Sequence, residues 1–245
     1  MTGNPALNEN TFSNVSSARV GEAMTVQGTV HKTAILLVLA AVSASYTWHL
    51  YFGGNVASVT PWMIGGGIGG FVVGLVTTFK PTWAAITAPL YAVFQGLFIG
   101  ALSSIFDARM PGIVIQAVML TFGTLAALLA AYQTGLIRAS DKFKRGVIAA
   151  TGGIAILYLL SIALGFFHIQ IPLIFGNGAI GIGFSLFVVI LAAMNLVIDF
   201  DFIEQGAQNG APKYMEWYAS FGLMVTLIWL YMEILRLLSK LRSRD

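Results

Sequence analysis

The 245-residue chain contains no cysteine, and only 9% of its residues are charged. The first absence excludes disulfides, thiolate metal sites and thiol nucleophiles. The second sets the chain apart from a soluble domain, where about a quarter of residues carry charge. Apolar residues make up 57% of the chain, and the mean hydropathy is +0.82. A water-soluble fold of this size has too little interior to hide so much apolar surface, so lipid is the expected solvent.

Histidine is scarce too. The three present, His31, His49 and His168, fall in loops or at the ends of apolar runs. Neither "GxSxG" nor "HExxH" occurs, so a hydrolase at bundle depth lacks a nucleophile and a base. No enzymatic activity and no resident cofactor are expected. The net charge of +3 comes from basic residues placed between apolar runs. That placement is the pattern of membrane topology and not of a nucleic-acid-binding face.

What is abundant is long apolar sequence. Residues 1–31 read as a polar, mostly disordered cytosolic tail; they lack the basic start, short apolar core and cleavage site of a signal peptide. Residues 32–245 then divide into runs of about 20 apolar residues, each able to cross a hydrocarbon core of roughly 30 Å as a helix. The expected spans are Thr33–Tyr51, Pro61–Phe79, Thr82–Phe106, Pro111–Leu136, Gly146–Phe167, Ala179–Ile203 and Tyr214–Leu238. "FGGN", "KP", "DARMPG", "RASDKFKR", "HIQIP" and "EQGAQNGAPK" punctuate them. A membrane β-barrel would show alternating ten-residue segments instead, and these are absent. The expected fold is an all-α, seven-helix transmembrane bundle.

With the N-terminus in the cytosol, Arg19, Lys32, Lys80, Arg138, Lys142, Lys144, Arg145 and Lys213 lie inside, eight basic residues against five opposite. The count favours this orientation. The basic C-terminus pulls the other way, so a re-entrant last segment with both termini inside is the alternative.

Two glycine-rich stretches stand out. "WMIGGGIGGFVVG" puts Gly66, Gly70 and Gly74 at spacing four, which lets helix backbones approach closely and marks a packing face. "FGNGAIGIG", from Phe175, packs closely or else breaks a helix start at a cavity.

Carboxylates are few, and their positions matter. From Arg145 to Asp199 no Asp, Glu, Lys or Arg intervenes. An ionised group in hydrocarbon costs several kcal/mol, so Asp199 needs a reason. At about 100° per residue it shares one helix face with Asn195, Ala192, Ser185 and Gly181. Asp201 lies about 200° away and suits a solvated headgroup position. Glu216 opens the last helix, where a carboxylate also suits the helix dipole, and Ser220 follows one turn later. Glu233 has Arg236 three residues on, at contact distance for a local ion pair.

The stretches "LVIDFDFIEQG" and "KYMEWYASFG", together with the seven-span layout over about residues 33–240, resemble the Bax-inhibitor family of transmembrane proteins, in its bacterial branch. That resemblance implies six helices around a central seventh in a bacterial cytoplasmic membrane. It also implies a pH-sensitive calcium leak controlled by two acids sharing a proton, one late on the sixth helix and one on the seventh. Asp199 matches the first acid. The place of the second falls on Met224, with Glu216 two turns before it and Glu233 nine residues after.

Chain geometry favours Glu216 as the partner, because the short loop after the sixth helix returns it toward the end where Asp199 stands. Glu233 is 17 residues further, roughly 25 Å along the axis. Two carboxylates a few ångströms apart do not both ionise cheaply, so such a pair holds a proton or a hard cation. Asp199 and Glu216 are thus the candidate calcium ligands. Asp199, Glu216, Glu233, Asn195 and Asp201 are the candidate pH-sensing or ion-path residues. Calcium or protons and the lipid bilayer are the expected partners. The alternatives are a regulatory scaffold that modulates a membrane protease or stress pathway, and a proton-coupled transporter. No inverted repeat supports the last.

Overall fold

Thr25 starts the first helix: its hydroxyl accepts the amide hydrogen of Gly28 at 2.9 Å, satisfying one of the donors a helix start leaves over. From there α1 runs over Val26–Phe52. The remaining helices are α2 (Val56–Phe79), α3 (Ala84–Arg109, entered through a 3-10 turn at Pro81–Trp83), α4 (Ile113–Gln133), α5 (Asp141–Phe166), α6 (Ala179–Gln208) and α7 (Met215–Arg242). The computed structural model describes residues 23–54, 56–167 and 176–243. The tail through residue 22, His168, Phe175 and Arg244 lie outside the described residues.

Among the described residues these seven helices are each long and apolar enough to cross a membrane, and no strand is formed beyond one bridge between Ala23 and Pro212. The helices follow the apolar runs closely. The first one departs: it begins at Val26, not at Thr33, so residues 26–31 belong to a helix and not to the tail. Hydropathy sees only the part of a helix that suits lipid; the cap at Thr25 sets where it starts. Similar local chemistry starts α5, where the Ser140 hydroxyl accepts from the Phe143 amide and Asp141 occupies the first turn, favoured by the helix dipole. Gly112, at φ +81°, turns the chain into α4 in a conformation that a side chain disfavours. α7 runs unbroken for 28 residues.

The chain forms two compact units. One holds α1, α2 and α3 with Asp201–Val225; the other holds Gly112–Phe200 and the chain from Thr226 onward. In the first, α3 is the middle helix. The α2 face of Gly66, Gly70 and Gly74 is buried against it. A Cβ on Gly66 would sit 2.7 Å from the Phe94 carbonyl and 2.8 Å from the Phe98 amide, and one on Gly70 2.6 Å from Gln95 Nε2. On its other side α3 brings Gly96 and Gly100 against the α1 backbone, where a Cβ on Gly96 would lie 2.8 Å from Ala40 Cα. Backbones approach this closely only where both surfaces lack bulk.

In the second unit α5 and α6 meet along a helical stripe of Val147, Ile154, Val188, Leu191 and Ile198, with Trp229 of α7 packed on it. The outer face of α5 leaves Ile156, Leu159, Leu160 and Ile162 more than half exposed, the surface a lipid-facing helix needs. Of the apolar window of α7, 61% is buried, against 11% for α5. The last helix is the most enclosed.

Candidate functional site

Asp199 sits on the inner stripe of α6 with 1% of its surface exposed. Both carboxyl oxygens are buried and neither has a partner in good hydrogen-bond geometry, although the Thr226 hydroxyl of α7 lies beside the group. One turn earlier, Asn195 donates from Nδ2 to Thr151 Oγ1 of α5 and to the Leu191 carbonyl, each at 2.9 Å. About three turns further back, the buried Ser185 hydroxyl also lacks a hydrogen-bond partner among the described residues. The stripe inferred from the 100° spacing is thus an interior polar line, and among the described residues no cationic side chain is bonded to its carboxyl. Asp201 points elsewhere: it is half-buried and accepts from Gln205 Nε2 at 2.7 Å.

Glu216 belongs to the other unit, and its surroundings are of the opposite kind. Its side chain is fully buried, yet both oxygens are engaged. Oε1 accepts from the Thr25 amide at 2.9 Å and the Thr25 hydroxyl at 3.0 Å, and lies 2.9 Å from Lys213 Nζ. Oε2 pairs with the Lys32 ammonium, which also stands over the Trp217 ring at 5.5 Å. Gly28 makes room for the carboxylate: any Cβ there would overlap it. Below it, Ser220 donates to the Thr29 carbonyl at 2.9 Å. Within its own unit the structure surrounds Glu216 with two lysines and a helix cap. Both oxygens of this carboxylate are thus already engaged by cations and donors of the protein. Sequence reasoning missed Thr25, Gly28 and Lys32, although they lie on one face of α1, at spacings of three and four.

Glu233, 2% exposed, makes the ion pair its spacing implies. Arg236 Nη1 donates to Oε1 at 3.0 Å and Oε2 at 3.1 Å. Tyr158 of α5 donates to the same Oε1 at 2.9 Å and accepts from Arg236 at 2.7 Å. One turn further on, the buried Lys240 donates to the Gly181 carbonyl at 3.0 Å, at the start of α6. Among the described residues no cluster of three or more His, Asp or Glu side chains is arranged to hold a metal.

Seven apolar helices, each long enough to span a membrane, with a buried carboxyl on the sixth, define an all-α multi-pass membrane protein. The family within that class is shown by sequence: the model of the Bax inhibitor 1 like family matches residues 4–243. The chain belongs to that family. No curated protein and no solved structure matches it.

Proposed function

We propose that the protein is a pH-sensitive leak for calcium or a similar hard cation. It would lie in a bacterial cytoplasmic membrane with its N-terminus in the cytosol. The reading is of a passive pathway without catalysis or a resident cofactor. It rests chiefly on Asp199: a buried carboxyl on a spanning helix, continued by Asn195 and Ser185, with no basic side chain paired to it. Ionisable groups in spanning segments mark ion or proton paths by default, because hydrocarbon does not tolerate their charge without a purpose. A carboxyl with no tethered cation changes charge when it gains a proton, and its oxygens suit a hard cation when it does not. Family membership supports the same reading.

The test is calcium entry into liposomes holding the purified protein, scanned from about pH 5 to pH 8. Wild type should conduct with a clear pH dependence. Asp199→Asn, which is neutral at every pH, should lose that dependence. Absence of flux from wild type at every pH would replace the leak by a regulatory membrane scaffold.

A further inference from the structure

The second unit holds more polar side chains than one buried acid requires, and they line up. On α6 the stripe runs from Gly181 to Asp199, 18 residues or roughly 27 Å, close to the thickness of a hydrocarbon core. Thr151 and Tyr158 on α5 are seven residues apart, as are Thr226 and Glu233 on α7, so each pair keeps one helix face for two turns. Cross-bonds join these faces at two levels, Asn195 to Thr151 and Tyr158 to Glu233. A polar line thus leads from Asp199 at one end to Glu233 and Lys240 at the other.

The two ends differ in one respect. Asp199 is not paired with a basic side chain, whereas the oxygens around Glu233 are filled by cations belonging to the protein. Arg236 takes both carboxylate oxygens and the Tyr158 hydroxyl, and stacks its guanidinium 5.2 Å from the Tyr158 ring centre. Lys240, on the Gly181 carbonyl, is near enough to interact with the charges of both Glu233 and Arg236. Carboxylate, phenol and carbonyl oxygens are the ligand types a hard cation uses. An interfacial arginine alone needs no acid, since its long stem reaches headgroups or water. The acid is the partner that needs explaining: Glu233 is 2% exposed, while the Arg236 side chain is 35% exposed. The guanidinium thus has an exposed side, away from the acid, to move into when displaced.

We propose that Glu233 and Tyr158 form a hard-cation site on the conduction line, held closed by Arg236 as a tethered competing cation, with Lys240 adding like charge behind it. This rests on the cation-leak reading and adds its gate. A permeant divalent ion must displace the guanidinium, so the apparent affinity falls by the fraction of time the site is free. Removing the guanidinium releases the two Glu233 oxygens it holds, beside the Tyr158 hydroxyl.

The test uses the full chain in detergent with terbium as the hard-cation probe, read by luminescence sensitised through Tyr158, and in liposomes with calcium flux. Arg236→Gln should bind terbium about tenfold more tightly than wild type or better, and should conduct calcium faster at every pH. Arg236→Lys keeps the charge but on a smaller group that lacks the planar guanidinium, so it should fall between them. That conservative variant serves if Arg236→Gln does not fold. Adding Glu233→Gln to either variant should abolish the gain in binding. Wild-type terbium affinity in both Arg236 variants, or a gain that survives Glu233→Gln, overturns the site. Tighter binding without faster flux, in a protein whose wild type conducts, overturns the gate. If no protein conducts, the leak reading and the gate both fail, and the terbium result still decides the site.

Discussion

Lys32 and Glu216 are ion-paired where neither has much access to water: the lysine side chain is 17% exposed and the glutamate not at all. They are 184 residues apart in sequence. The pair fastens the first turns of α1 to the first turn of α7, and the Met24 amide reinforces it by donating to the Ala211 carbonyl.

Breaking this contact from either side should destabilise the protein unequally. Glu216→Ala leaves the buried end of Lys32 without a counter-charge, a loss of about 3–5 kcal/mol for a buried pair. Lys32→Met leaves the carboxylate still paired with Lys213 and bonded to Thr25, so it should cost less, about 1–2 kcal/mol. Gly28→Ala should resemble the weaker of these, since the Cβ pushes the carboxylate off its partners without deleting it. Thermal unfolding in detergent of the three variants checks the order. Equal midpoints for Glu216→Ala and wild type would mean that the pair does not hold the helices together.

The glycines of α2 offer a graded test. Gly66 faces the α3 backbone, which cannot yield, whereas Gly70 faces the end of the flexible Gln95 side chain. Gly65 has nothing within 4 Å of its Cβ position. Gly66→Ala should therefore destabilise by about 1–3 kcal/mol and Gly70→Ala by less. Gly65→Ala should be neutral or stabilising by up to about 1 kcal/mol, from helix propensity alone. Melting temperatures of the three variants decide it. Indistinguishable losses at Gly66 and Gly65 would show that the close α2–α3 approach is not what the glycines serve.

Most of the fold could be read from the sequence because lipid imposes one requirement on every span, a long apolar run, and the loops between them are polar. The Asp199 stripe was legible for a similar reason: a 100° period reports which residues share a face. What that period cannot report is the partner facing it. Glu216 looked like a second acid for Asp199 because both stood near the same loop, but one of the two lysines paired with it, Lys32, comes from the other end of the chain. Gly96 and Gly100 carried the same four-residue spacing as Gly66 and Gly70 and were overlooked, because their helix holds fewer glycines. The early start of α1 was hidden by its polar first turns, which hydropathy discounts and capping does not.

The seven spans and the basic-residue count lead to a topology with the α4–α5 loop, residues 134–140, in the cytosol and the C-terminus outside. A reporter fused after residue 245 that is active only outside the cytosol should be active, and the same reporter in the α4–α5 loop should be silent. The reverse pair of signals would invert the protein; silence at both sites would put an even number of crossings between the α4–α5 loop and the C-terminus.

Asp199 separates stability from conduction. A buried carboxyl whose oxygens lack well-placed partners is a cost that the fold carries, since desolvation is not repaid by a cation or by donors. Asp199→Asn keeps the shape and removes the possibility of charge, so it should leave stability unchanged or raise it by about 1 kcal/mol, some 2–4 °C for a chain of this length. The same variant should lose the pH response of calcium entry. Asn195→Leu should do the opposite: it breaks the bonds to Thr151 and Leu191 and takes a partner from the half-buried Thr151 hydroxyl, lowering stability by about 1–3 kcal/mol while the carboxyl that responds to protons stays in place. Measuring melting and pH-dependent flux on both variants gives a crossed pattern. If Asp199→Asn melts well below wild type, the carboxyl is a structural anchor with a partner of its own, and the case for it as the conducting group fails.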